Sequence, residues 1–556
     1  MIQLQMMWQR FKLTRLYQRL IGDSAEKVWL AALWSALLAA ILYLSFQFYD
    51  TDLYYIIPTG RYILENGIPY ENPFIVTQGQ NIVVQNWLYC AITAWIYNSL
   101  HSTGLWLFQL ITILGMVAVI FAFFGFKKSD NKPMIGIFTL MSLALFGYIN
   151  LRPEMLTFIL VMLEIIGVER YRDTDKMRYL WLLPLTMLIE INCHASYWIM
   201  HFIVLLPYCV PALFSKLMRV EDTHIPNHMT GKMVIPLLVM VDMLFVNPYG
   251  FDAVTYVFDA LSSNVISLSG ITEQQPFTIN SMYAWAYILA LFVFLVMWWK
   301  KKLTSTDFYM YIGFSITFVM AVKWLPFYVI SLIFLFRAMY RQTEGRDGYK
   351  ISKLKVPVFC SVLIVIMVCM VFGTLFKNNN IGACFDASTD EYLDHAAVQG
   401  TAYESFAEMA DYLDENDPDA SVFAIFEQSN YFEYRGYKIF TDARPEIYTE
   451  EIAGSDELTS MLFKIHDAVD ELGYNDALVA ASSFASTTDK DAIDISDYCL
   501  TAAEYADVVD NIETEYYVAC TTSAILYHYL DNNPDKYTCV VDRGQYKLYQ
   551  KHIVNP

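Results

Sequence analysis

Residues 28–52 read VWLAALWSALLAAILYLSFQFYDTD: twenty-one residues without a formal charge, Tyr49, then Asp50 and Asp52. About 20 apolar residues cross the roughly 30 Å of a hydrocarbon core as one helix. The run is longer than a signal-peptide core and lacks a small-x-small cleavage site. Arg10, Lys12, Arg15 and Arg19 precede it, so it reads as an uncleaved anchor behind a cytoplasmic basic tail, residues 1–27. The carboxylates then stand where that helix meets water on the far side.

The pattern recurs along the chain. Further stretches of span-like apolarity are 105–126, 134–150, 154–170, 178–193, 196–217, 232–247, 283–300, 306–323, 325–340 and 355–376, which with 28–49 predict about eleven helical spans. Composition agrees: 56% of the 556 residues are hydrophobic and 17% charged, more apolar than a water-soluble domain tolerates. The basic segments are the N-terminal tail, Lys127-Lys128 with Lys132, ERYRDTDKMR from Glu169, SKLMR from Ser215, Lys300-Lys301-Lys302 and the stretch from Arg337 to Lys355. With eleven spans all of them fall on one side, the cytoplasmic one, as an excess of Lys and Arg requires. The expected location is the plasma membrane, multi-pass, with the N-terminus cytoplasmic.

Residues 381–556 hold 35 acidic and 9 basic residues, a net charge of −26, whereas the first 380 hold 22 and 28, a net of +6. A membrane body over 28–380, with external loops 50–104 and 247–282, is therefore expected to carry an extracytoplasmic acidic soluble domain over 381–556. Within that domain, a helix near Ala402 to Leu413, strands from Ser421 and Tyr437, helices at 456–472 and 501–511, strand YYVAC, a helix over Ile525 to Leu530, and strands YTCVV and YKLYQ alternate as in an α/β layer fold. No Gly-rich nucleotide loop follows a strand, and no nucleic-acid partner is expected. Cys90, Cys193, Cys209, Cys360 and Cys369 lie in or beside spans without metal-like spacing. Cys384, Cys499, Cys520 and Cys539 share the soluble domain, where one or two disulfides are an option.

Ionisable groups beside hydrocarbon are costly, so their placement carries information. Asp50 and Asp52 end the first span, Arg152 and Glu154 sit in the link LRPEM, and Asn192 with His194 in INCHAS. Glu273 and Gln274 sit in ITEQQP, and Lys323 in AVKWLPF. The eleven-span topology puts all of them on the external face. Paired carboxylates suit removal of a proton from a hydroxyl, or a divalent cation such as Mg or Mn; an arginine and a lysine suit a phosphate. The plainer readings are a solvated helix end for the aspartates, interfacial snorkelling or pairing with Glu154 for Arg152, and a satisfied polar junction for His194. Glu164, Glu190 and Asp242, inside predicted spans, read equally as helix pairing.

The segment YDTDLYYIIPTGRYILENGIPYENPFIVTQGQNIVVQNWLY resembles the first external loop of polytopic glycosyltransferases of the GT-C superfamily, in the bacterial branch related to protein O-mannosyltransferases and lipid A aminoarabinose transferases. LRPEMLTFIL, NCHASYWIMHFIVLLP, FVNPYG, ITEQQP and KWLPFYVISLIFL extend the resemblance over most of residues 28–340, and FEYRGYKIFTDARPEIY resembles the start of the external domain of that branch. The resemblance implies a polyprenyl-phosphate-linked sugar as donor, with a glycan, lipid or protein acceptor. It implies Asp50 as catalytic base, Asp52 as its assistant, and Arg152 and Lys323 as donor phosphate ligands. Arg61, Asn86, Trp87, Glu154, Asn192, His194, Glu273 and Gln274 are the substrate-contact candidates. Gln85 and Asn86 stand where relatives usually show His-Glu, which removes a titratable pair. A transporter or flippase of lipid-linked material, and a non-catalytic assembly subunit, are the rival readings.

Overall fold

A computed structural model describes residues 25–46, 49–124, 132–145, 147–262, 276–278, 284–341, 393, 401–424, 427–444, 502–520 and 524–552. Its helical body contains α1 (Ala25–Ser45), α2 (Leu53–Asn66), α3 (Trp87–Phe124), α4 (Lys132–Leu145), α5 (Pro153–Thr174), α6 (Leu182–Cys193), α7 (Trp198–Ile203), α8 (Leu206–Cys209) and α9 (Ala212–Leu217). It continues through α10 (Asn227–Met243), α11 (Phe251–Ser262), α12 (Ala284–Trp299), α13 (Ser305–Met320) and α14 (Leu325–Arg341). Ten of the eleven predicted spans thus fall on helix, and the eleventh, 355–376, lies outside the described residues. By length and composition two helices, Trp87–Phe124 and Val322–Met339, are sufficient to cross a bilayer, and the other apolar helices are shorter. Trp34, Leu38 and Leu42 on α1, Ile235 and Leu238 on α10, and Trp285, Leu289 and Phe292 on α12 turn outward. Contiguous outward apolar faces of this kind suit lipid rather than water.

Two local departures follow from covalent geometry. The stretch 196–217, expected as one span, is three short helices. Pro207 and Pro211 lack the amide hydrogens an uninterrupted helix requires, and Pro211 stands outside the helical region at φ −60° and ψ 146°. The stretch 87–100, expected within the first external loop, is helical and runs on into the next span through a kink at His101, where φ is 49°. Gly104 makes that bend tight, since a Cβ there would stand 2.8 Å from Ile96 Cγ2 and from Leu100 Cβ.

α2 lies against the first half of α3 with Gly60 at the crossing. A Cβ at Gly60 would stand 2.1 Å from the Cys90 carbonyl oxygen and 2.6 Å from Ala94 Cβ, so the helices must part to admit it. Gly60→Ala is expected to destabilise by about 1–3 kcal/mol, the usual cost of overpacking. Thermal unfolding in detergent checks this, and an unchanged melting temperature would contradict the packing.

The C-terminal domain contains α15 (Thr401–Asn416), β1 (Ser421–Phe423), α16 (Glu427–Tyr434), β2 (Lys438–Ile439), α17 (Ala502–Asn511), β3 (Tyr516–Cys520), α18 (Ala524–Asp531), β4 (Tyr537–Arg543) and β5 (Tyr546–Lys551). The sheet order is β2-β1-β3-β5-β4, with β2, β1 and β3 parallel and β5 antiparallel to both its neighbours. The predicted strands are present; α16 was not foreseen, and 456–472 lies outside the described residues. Cys520 on β3 and Cys539 on β4 are separated by β5, about 10 Å apart at ordinary strand spacing, too far for a disulfide between them. Cys384 and Cys499 lie outside the described residues.

Charge asymmetry suggests two separate bodies, but the structure joins them. Leu53, Tyr54, Ile57 and Ile75 share one apolar core with Phe406, Tyr431 and Ile439. Val76 N–H donates to the Ile439 carbonyl at 2.8 Å, and Ile439 N–H to the Phe74 carbonyl at 3.0 Å, so the first loop docks on the edge of β2. The domain thereby seats the helix that follows Asp50 and Asp52.

Candidate functional site

The site is assembled where several helix links meet, at the end of the body that faces the C-terminal domain. Asp50 is 7% exposed, and its Oδ1 accepts the Asp52 amide hydrogen at 3.0 Å. Its Oδ2 accepts from Asn150 Nδ2 at 2.7 Å and pairs with Arg152 Nε at 2.8 Å. The same Nε lies 3.3 Å from Asp52 Oδ2. Arg152 can reach both carboxylates because it is the extended residue, φ −121° and ψ 153°, preceding Pro153 at the start of α5.

Glu154, in the first turn of α5, faces His194 Nε2 at 3.7 Å. His194 occupies the link between α6 and α7, where its ring lies 4.2 Å from that of Tyr197. Burial pushes the His194 imidazole down to about 4; the Glu190 carboxylate opposes that shift, and the positive charges of Lys323 and Arg152 add to it. Lys323 is thus electrostatically part of the group. Its link is held by Tyr148, whose hydroxyl donates to the Val322 carbonyl at 3.1 Å, and its Nζ lies 5.1 Å from the centre of the Trp324 ring.

The remaining sequence candidates divide. Trp87 Nε1 donates to Asn192 Oδ1 at 3.0 Å, and Asn192 Nδ2 donates to the Leu188 and Val246 carbonyls, so these two residues staple α3 to α6 and to the end of α10. Asn86 is buried at the start of α3, where its side chain accepts the Cys90 thiol hydrogen. Arg61 is not brought to the group. Its Nε donates to Asn98 at 3.0 Å and its guanidinium stacks near Tyr97 and Tyr434, because α2 turns that face toward α3 and the C-terminal domain. Glu273 and Gln274 lie outside the described residues.

The divalent-cation option rested on Asp50 and Asp52. A guanidinium nitrogen now lies between their carboxylates, where an ion would bridge them, and among the described residues no group of three or more His, Cys, Asp or Glu side chains is arranged to hold a metal.

Reading the sequence alone leaves out Asn150, two residues before Arg152, and Thr157, which joins Glu190 to His194. It names Glu164 and Glu190 inside predicted spans but not His201, which stands between them. Glu190, His201 and Glu164 are each 0% exposed and in contact, with His201 Nδ1 2.6 Å from Glu164 Oε2. The spacing of Glu190 and His194, four apart across a helix end, is the signal that points to them.

No protein-family model matches the chain, and no curated protein matches it either. Solved structures are similar to it. One is the archaeal oligosaccharyltransferase AglB from Archaeoglobus fulgidus in complex with an inhibitory peptide and a dolichol-phosphate, at 10% identity over 94% of this chain and 75% of that one, TM-score 0.47. Another is ArnT from Cupriavidus metallidurans bound to undecaprenyl phosphate, at 10% identity over 95% and 98%, TM-score 0.48.

Proposed function

We propose that this chain is an integral membrane glycosyltransferase that moves a sugar from a polyprenyl-phosphate donor to an acceptor hydroxyl on the extracytoplasmic face, by a single inverting displacement. The observation that carries the reading is the direct contact of Asp50 and Asp52 with Arg152, which puts a candidate base beside a candidate phosphate ligand. Asp50 accepts the hydrogen of the attacking hydroxyl, with Asp52 assisting it. Arg152 and Lys323 neutralise the phosphate as it leaves with the bonding electron pair. The sequence resemblance over residues 28–340 supports the same assignment.

One observation favours a rival reading. The buried chain Glu190–His201–Glu164 places ionisable groups deep in the helical body, as proton-coupled transport of a lipid-linked cargo would use them. Purified protein supplied with a polyprenyl phosphate labelled in its sugar separates the two. A transferase releases free polyprenyl phosphate and labels an acceptor. Recovery of intact donor, moved across a vesicle membrane with its sugar–phosphate bond unbroken, would overturn the enzyme reading.

A further inference from the structure

The hydrogen-bond chain behind His194 determines where its hydrogens sit. His201 lies between two carboxylates, its Nδ1 2.6 Å from Glu164 Oε2 and its Nε2 3.5 Å from Glu190 Oε2. The first contact is a hydrogen bond and the second an ion-pair distance; a ring set between two carboxylates is balanced when both nitrogens carry hydrogen, so Glu190 faces it as a carboxylate. Its Oε1 takes the single hydroxyl hydrogen of Thr157 at 2.7 Å, in preference to the Pro153 carbonyl 3.4 Å from that hydroxyl. With that hydrogen spent, Thr157 Oγ1 meets His194 Nδ1 at 3.0 Å as an acceptor, and the hydrogen between them belongs to the ring.

Nε2 of His194 is then the lone-pair edge, and it is the edge that faces Glu154 Oε1 at 3.7 Å. A buried lone pair and a buried carboxylate oxygen do not stabilise each other unless a proton stands between them. The charges that face this pair are Asp50 and Arg152 on one side, Lys323 across from His194, and Glu190 behind it. The pair is therefore a proton donor at the wall of a group that already holds two cations.

We propose that Glu154, with His194 set behind it by Thr157, Glu190 and the buried His201–Glu164 pair, is the acid that protonates the departing phosphate. This rests on the transfer reading above. The acceptor oxygen bonds to the anomeric carbon as its hydrogen passes to Asp50. The bond from that carbon to the phosphate oxygen breaks, and its electron pair stays on the phosphate, which takes the proton of Glu154. Solvent then returns a proton to Glu154 and removes one from Asp50, so the cycle closes. Thr157, Glu190 and His194 act as positioning residues, since they bear on the phosphate only through Glu154.

The test uses the full-length protein with labelled polyprenyl-phosphate sugar. Glu154→Gln is expected to slow release of polyprenyl phosphate on the order of tenfold, below the usual range for a general acid because a phosphate already leaves readily. The donor KM is expected to hold, and the decline of rate at alkaline pH, which marks loss of the acid's proton, to disappear. Thr157→Val is expected to shift that decline while Thr157→Ser preserves it, a contrast that simple destabilisation would not produce. Independently of activity, the infrared carbonyl absorption of protonated carboxyls at neutral pH is expected to lose one component in Glu154→Gln, the component of Glu433 remaining. Glu154→Gln with the parent's rate, alkaline decline and infrared band would overturn this proposal and leave the transferase reading standing. A parent protein that releases no polyprenyl phosphate would overturn both.

Discussion

Asp50→Asn is expected to slow release of polyprenyl phosphate from a labelled donor by about 10²- to 10⁴-fold, the usual contribution of a general base. The substitution keeps size and shape but removes the charge that pairs with Arg152 Nε at 2.8 Å. An amide also cannot reproduce the carboxylate's pattern of acceptance. One oxygen of Asp50 takes the Asp52 amide hydrogen and the other takes the Asn150 amide hydrogen, so the new –NH2 group faces donors on either choice of flip. Arg152 keeps its contact with Asp52, at 3.3 Å. Size-exclusion and thermal unfolding establish that the variant is folded. Transfer at the parent's rate by such a protein would remove Asp50 from the role of base.

The largest effect on stability is expected at Arg444, in the C-terminal domain. Its Nη2 donates to Glu433 Oε2 at 2.8 Å, its Nε donates to Asp442 Oδ2 at 2.7 Å, and its Nη1 reaches across to Thr59 Oγ1 on α2 at 3.0 Å. The guanidinium also stacks 4.8 Å from the centre of the Phe74 ring. Glu433 and Asp442 are buried, so Arg444→Met leaves two carboxylates without their cation, a loss of about 3–5 kcal/mol.

Burial pushes the Glu433 carboxyl well above its ordinary range, Arg444 pulls it down, and Asp442 pushes it up. Removing Arg444 raises it further. A carboxyl raised in the folded state contributes stability at low pH and loses it as pH rises through the folded value. The variant is therefore expected to be closer to the parent at pH 5 than at pH 8 in thermal unfolding of the full chain. An equal deficit at both would contradict a buried, unpaired carboxylate as the cause. Because Thr59 loses its partner as well, transfer activity is expected to fall along with stability.

The features legible in the sequence are those that depend on neighbours along the chain. A run of 22 uncharged residues before Asp50, and the alternation of helix and strand after Thr401, are local patterns, and the described helices and strands appear in those places. The three pieces of 196–217 were equally local in cause, since the prolines that divide them stand in the sequence. The aspartates, Arg152 and Lys323 were also readable, because a charge beside hydrocarbon is costly wherever the chain folds.

Only the tertiary structure decided what those charges touch. Residues 50, 150 and 152 meet because the link after α1 and the link before α5 are brought together, a contact of about a hundred positions' separation that no periodicity records. The same packing turned Arg61 toward Asn98, gave Asn192 to Trp87, and lined up Thr157, Glu190 and His201 behind His194. By itself the sequence determined which segments avoid water and which residues must not be left alone in lipid, since transfer free energy belongs to each side chain. Partner choice was decided by the fold, because a hydrogen bond depends on distance and direction, and those exist only once the helices are assembled.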